Sequence, residues 1–575
     1  MGDRRSAPPR WWVALLALVL LTGCAEIPSS GSPSGTGNAQ VVDQSAGRDP
    51  VVRVFAEGPH DGDSVYSIVS GFLEASSTVE DDVSTARKYL TDSASGRWRP
   101  DVGVTVYDHT AVRISAKSTN RLEFTAPAEG TVDDQGVYLA AQPGKQAVAD
   151  FDLVKVDGNW RIDDVPAGLF ISKQDFDREY SGQDLYFLAG GEHSPVLVPD
   201  PIYLRRVPGL PTALVTALLD GPSRWLKPAV STALGDDAAL ESPVDVASGV
   251  AYVRLTPDSV PAGSVARDTL LGQIVLTLTE DPDVNAVVVT AGGRPVTLGG
   301  RGSNRLARSD VAIFQPADLR PPGPSAYYLR DGVSYMVGPP GAQGPFAPAS
   351  KLAEIAVAPG GNLLAGIAKD RKTLWTSPGD QPTHLTARLK GEELRSASFD
   401  QDGNLWVLDG ASPNTVLRRI PAEGDAVAVS LGGFVARQVV RLRVSSDGTR
   451  VAMVLDTVEG AQVYLGLATG TGSNVAVGSL RRLGFPLLDP MDIGWADPDR
   501  LVVLAAERNA APQPFALSMG GIVSDVAPSL ADISGLAVAP NQAIIATTSK
   551  KVVYRLRPGG GWFRVGTGIA ATYPG

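Results

Sequence analysis

The chain has 575 residues, a formal net charge of −11 at pH 7, 43% hydrophobic residues, four histidines and one cysteine. That length implies about three or four domains at ~100–200 residues each, and so large an acid excess argues against binding nucleic acid or anionic headgroups. A lone cysteine supplies no disulfide framework, so stability must come from core burial, for which a chain this long has ample material.

Arg4, Arg5 and Arg10 form a basic start, and Trp11 to Leu21 is an uninterrupted apolar run of eleven residues. A membrane-spanning helix needs ~20, so the run is a secretion signal rather than a span. It ends in Leu21-Thr22-Gly23-Cys24, which contains the only cysteine. These four residues look like a bacterial lipobox. Cleavage between Gly23 and Cys24 would make Cys24 residue one of the mature chain. Its thiolate is the nucleophile that takes the lipid, and small Thr22 and Gly23 let a peptidase close around the backbone. Residues 1–23 are thus expected to be a lipoprotein signal peptide. Removing them makes the chain more acidic still, so membrane contact should come from the lipid. Residues 24–50, rich in Ser, Gly and Pro without hydrophobic period, read as a flexible tether.

Residues 51–183 read as an α+β domain. Val65, Ile68, Val69, Phe72 and Leu73 recur at helical spacing, and a second helix is expected over Val83, Ala86, Arg87, Tyr89 and Leu90. Strand-like runs follow at 102–107 and 137–139. The segment 151–162 reads as a hairpin turning at Asp157-Gly158. Two helices before a curved sheet ending in DGNWRIDDVP resemble the NTF2-like fold.

Residues 184–308 contain strand-like segments at 184–189, 197–207, 250–255 and 284–290. A helix is expected over 211–220, with Pro211 at its start, where a missing N–H costs nothing. The ALLDGP, VAYVRL and QIVLTLTEDPDVNAVVV stretches resemble the GerMN domain, an α+β module thought to mediate assembly.

Residues 309–575 repeat. Strand–turn–strand units centre on Gly361, Gly403, Gly448, Asp499 and Gln542, spaced by 42, 45, 51 and 43 residues. A period near 40–50 is the mark of a β-propeller, whose blades bury their faces only by stacking in a ring. The segment 326–337 offers strands for a further blade.

The order of signal, tether, NTF2-like module, GerMN-like domain and propeller resembles the lipoprotein LpqB family. That resemblance implies a protein lipid-anchored on the extracytoplasmic face of the cell membrane. It also implies an accessory of a two-component system of the MtrA–MtrB type, contacting the ectodomain of an MtrB-like sensor kinase and influencing envelope homeostasis and division.

Chemistry is sparse in the residues themselves. His60, His109, His193 and His384 lie too far apart in sequence for a helical metal pair, and no serine sits in a G-x-S-x-G elbow. Asp281-Pro-Asp283-Val-Asn285 starts like a calcium loop, but Ala286 stands where glycine is needed and Gly292 where glutamate is needed. Asp81-Asp82, Asp133-Asp134, Asp163-Asp164 and Asp236-Asp237 read as caps and turns. No catalytic, cofactor-binding or metal residue is assigned, and the chain is not expected to be an enzyme. An alternative is a cell-wall glycan-binding protein with Trp375, Trp406, Trp495 or Trp562 at the propeller mouth, although blade packing is the plainer role for these residues. A glycan-processing enzyme would need carboxylates converging in the channel.

Overall fold

A computed structural model describes residues 57–575, apart from 78–82, 191–194, 207, 300–302, 317–318, 320–324, 339–340, 343, 345–350, 412–414 and 433–438. The signal peptide, Gly23, Cys24 and the tether lie outside the described residues. Among those described, no helix is long and apolar enough to cross a membrane.

The first domain packs helices against a bent sheet, as expected. Helix Val65–Ser76 is capped by Ser64, whose side chain accepts from the Ser67 N–H, and it buries Ile68, Val69, Phe72 and Leu73. Phe72 meets Trp98 and Phe151 edge-on at 5.1 and 6.0 Å. The sheet runs Asn159–Asp164, Gln146–Val156, Arg121–Asp133, Gly103–Tyr107, Leu169–Ser172. The thirteen-residue central strand holds different partners along its two halves. Asp157 and Gly158 turn the expected hairpin with φ of +48° and +85°. The second helix departs from expectation. Helix stops at Arg87, and a new short helix, Asp92–Arg97, follows. Between them Leu90 bridges to Ile162, and the Ile162 N–H donates to the Tyr89 carbonyl at 2.9 Å. Sheet pairing there outweighs the helical spacing.

In the second domain, strands Tyr180–Ala189 and Leu197–Arg205 form a long antiparallel pair. Val250–Leu255 and Ala286–Ala291 are parallel, joined by helix Ser264–Leu278. That helix is buried on every side from Thr269 onward, which explains its apolar run. The one long polar side chain within that buried stretch, Gln273, donates to the Tyr186 carbonyl at 2.8 Å and accepts from the Ala233 N–H at 2.6 Å. Strand Tyr180–Ala189 serves two cores. Tyr180 packs into the first domain and Leu185 to Phe187 into the second, while Val311 and Phe314 close the second core from beyond residue 308.

The third region is a propeller of six sheets among the described residues. Blades one to five begin on inner strands Leu352–Val357, Arg395–Phe399, Val439–Val444, Leu488–Asp497 and Ile533–Ala537. The repeated turns all fall in one place, between the inner strand and the next. Gly361, Gly403 and Gly448 reverse the chain there with φ of +69°, +77° and +74°, which favours glycine. The sixth blade is composite. Tyr327–Arg330 pairs with Val333–Met336 on one side and with Ile569–Thr572 on the other. Both ends of the region thus meet in one sheet and close the ring.

Candidate functional site

The three domains meet at a joint built from short segments of each. The first contributes turn 133–138, where the Asp133 carboxylate accepts from the N–H groups of Gln135 and Val137. The second contributes its long strand pair and loop 223–229. The third contributes the edges of blades three and four. Between the first two, Arg224 donates bidentately to Asp134 at 2.6 and 2.8 Å, and the Tyr203 N–H donates to the Gly136 carbonyl at 2.7 Å. The Ala140 N–H donates to the Gly520 carbonyl at 2.8 Å, linking first domain to propeller.

Trp225 carries the contact between the second domain and the propeller. Its indole N–H donates to the Ser479 carbonyl at 2.6 Å, and the Arg481 guanidinium lies 4.4 Å from its ring centroid. Arg450 is 1% exposed. It donates to Asp447 at 2.9 Å within its blade and to the Pro199 carbonyl at 3.2 Å across the joint. Burial disfavours the Asp447 carboxylate, but Arg450 and the hydrogen bonds from Ser445 and Thr449 outweigh it and hold its pKa below the usual range.

A cavity of about 320 Å³ lies inside this joint, lined among others by Asp184, Asp200, Glu280, Arg450, Arg481 and Asp499. Burial raises the Asp184 carboxyl well above the ordinary range, and the Asp499 and Glu280 carboxylates raise it further. Burial also raises Asp200, against the pull of two hydrogen bonds from Ser223 and the charges of Arg450 and Arg481. Arg481 itself is pushed down to about 10 by burial. Glu280 is held by Arg308 at 2.9 Å and by the Tyr186 hydroxyl at 2.8 Å. Asp200, Glu280 and Arg450 are bonded to residues of other elements, and Arg450 and Arg481 reach across the joint to Pro199 and to the Trp225 ring, so two of the cavity's cations fasten the propeller to the second domain.

The other residues singled out in the sequence lie apart. His60, His109 and His384 are exposed and His193 is outside the described residues. Asp163 accepts from the Thr91 hydroxyl at 2.8 Å, Asp236 and Asp237 are exposed, and Asp81 and Asp82 are not described. The Asp281 carboxylate caps the Asp283 N–H at 3.0 Å. No three His, Cys, Asp or Glu side chains among the described residues could hold a metal ion. Trp406 and Trp495 are buried, donating to the Asp400 carboxylate at 3.0 Å and the Arg443 carbonyl at 3.2 Å. Trp375 and Trp562 are half-buried on outer strands. Trp225, Arg450 and Asp184 were missed in the sequence. Only the isolation of Trp225 just past the ALLDGP helix hinted at a contact beyond its own domain.

Three family models match in the same order as the domains. They are the lipoprotein LpqB N-terminal domain over residues 58–177, a sporulation and spore germination domain over 184–297, and the lipoprotein LpqB beta-propeller domain over 340–574. Among curated proteins, lipoprotein LpqB of Streptomyces coelicolor is 30% identical, covering 100% of this chain and 99% of its own. Its counterpart in Thermobifida fusca is 28% identical over 97% of each. Among solved structures, the tandem GerMN domains of the sporulation protein GerM from Bacillus subtilis match 23% of this chain and 45% of their own at 25% identity, with a TM-score of 0.20. With likeness along the whole length and the three domain models in sequence, the chain belongs to the lipoprotein LpqB family.

Proposed function

We propose that this lipoprotein is anchored through Cys24 on the extracytoplasmic face of the cell membrane. There it acts by protein–protein contact, without catalysis of its own, as an accessory or regulator of a two-component sensor kinase of the MtrA–MtrB type in envelope homeostasis and division. The observation that carries the reading is the joint. Hydrogen bonds such as Arg224 to Asp134, Trp225 to Ser479 and Ala140 to Gly520 fasten three domains into one body. A body with fixed domain positions, borne on a lipid and a Ser/Gly/Pro tether, suits presentation of a constant surface to a membrane-bound ectodomain. Two acyl chains hold such a body firmly, whereas one gives only marginal anchoring.

Changing Cys24→Ala tests the anchor. The variant is expected to lose acylation and leave the membrane fraction while keeping the wild-type circular dichroism spectrum. Acylated protein in that variant would refute Cys24 as the lipid site. The partner is tested by cross-linking the lipidated chain in native membranes, where a sensor-kinase ectodomain is the expected product.

A further inference from the structure

The six strands around the propeller axis share a feature that their sequences do not advertise. Each pairs irregularly at one level of the ring, and Leu488–Asp497 also breaks at Trp495/Asp497 toward its other end. The shared breaks fall at Leu352/Glu354, Arg395/Ser398, Val439/Arg441, Leu488/Asp492 and Ile533/Gly535, and in the sixth blade where Tyr327/Leu329 face Thr572/Ile569. A bulge bends a strand and re-aims its side chains, and bulges concentrate at barrel rims and beside binding sites. Here they stand in a ring about one end of the channel. At that level is a cavity of about 220 Å³, lined among others by Glu354, Arg371, Ser396, Arg441, Arg443 and Asp492.

Its charges do not cancel. Glu354 is taken up by Arg371 at 2.9 Å and by the Ser396 N–H at 2.8 Å. Asp492 accepts from the N–H groups of Leu536 and Ile493 at 2.8 and 3.0 Å and meets Arg441 only at 3.9 Å. Arg443 donates to the Leu442 carbonyl at 2.9 Å and has no carboxylate within ion-pair distance among the described residues. Behind them Arg395 is bonded to the carbonyls of Gly410 and Val439. Burial lowers its pKa, and Arg441 and Arg371 add to that against the opposing charges of Glu393 and Glu354. In a chain of net charge −11, this is a local excess of guanidinium.

Ser396 adds an independent sign. It is 4% exposed, and its hydroxyl is buried with no hydrogen-bond partner among the described residues. Its backbone has φ of +54°, a left-handed conformation uncommon for a residue with a Cβ. A strained backbone carrying a buried, unpartnered hydroxyl in a residue that lines a cavity is the kind of feature that persists at ligand sites.

We propose that this end of the channel binds a compact oxyanion, a carboxylate or phosphate group, held by Arg441 and Arg443 and by a hydrogen bond from the Ser396 hydroxyl. Guanidinium and hydroxyl donors lining one cavity match such a group, and the cavity has room for a head of a few heavy atoms. The site is separate from the joint and does not depend on which protein the lipoprotein contacts.

The test titrates the full-length protein, in detergent at low salt, with inorganic phosphate and with acetate, followed by calorimetry and thermal melting. At least one of the two should bind saturably and raise the melting temperature. Ser396→Ala should weaken that binding about fivefold, and Arg443→Gln about tenfold. Ser396→Gly separates binding from folding. It relieves the backbone, so the unliganded protein should melt higher while affinity still falls. Preference for phosphate would assign a phosphorylated ligand, and preference for acetate a carboxylate-ended one. Binding of neither anion at millimolar concentration, or equal binding by wild type, Ser396→Gly and Arg443→Gln, would overturn the proposal.

Discussion

Arg450 and Asp447 are both buried, and their pairing makes each tolerable to the other. Arg450→Met would strand the carboxylate and break the bond to Pro199. The expected cost is about 3–5 kcal/mol, read as a lower urea midpoint, with a smaller loss when Asp447→Asn is added. Asp400 sets a pH dependence. Burial raises its carboxyl from 3.8 to about 6, although Trp406 and Asn404 donate to it. The native state therefore binds more protons than the unfolded chain between those values. The contribution of Asp400 is at its best below the lower one and diminishes as pH rises to about 6. Asp400→Asn should remove this slope in urea titrations and turn an amide N–H toward existing donors, at about 1–3 kcal/mol. Little of this was legible. Asp133-Asp134 and Asp236-Asp237 were readable as turns because a turn is local, whereas Asp163-Asp164, also read as a cap or turn, ends strand Asn159–Asp164. Arg450 sits in an ordinary strand pattern, and its partner Pro199 is 251 residues away.

Elements were more open to reading where the chemistry is short-range. The glycine turns of blades one to three must reverse the chain with positive φ, so they marked the repeat directly. The sixth blade was visible only in part, because its strands come from opposite ends of the region and lack the repeated inner turn. The lost second helix has the same cause, since Leu90 pairs with Ile162 far along the chain. Leu329, fully buried in the closing sheet, tests how much that closure contributes. Leu329→Ala is expected to cost about 2–5 kcal/mol and to speed proteolysis of the propeller. A loss confined to a few tenths would mean that the ring holds without this strand.

Across the whole molecule, domain order was legible because each domain carries its own pattern, whereas the joint was not. Its charges are scattered over all three regions, and their local sequences mark them only as surface polar residues. Gly520 offers a direct probe of that joint. A Cβ there would lie 2.6 Å from the Tyr138 carbonyl oxygen, so Gly520→Ala should push the first domain off the propeller. The expected cost is about 1–3 kcal/mol, with a separate low-temperature transition in calorimetry where the wild type melts as one. A single unshifted transition would show that the domains are not coupled through this contact.

The most direct measurement is a pull-down from native membranes with the lipidated protein, identifying what it captures by mass spectrometry. A sensor-kinase ectodomain enriched with the wild type, and reduced with Gly520→Ala, is the expected result. Capture of wall glycan with no kinase would contradict the account and make the protein a binder of the wall itself.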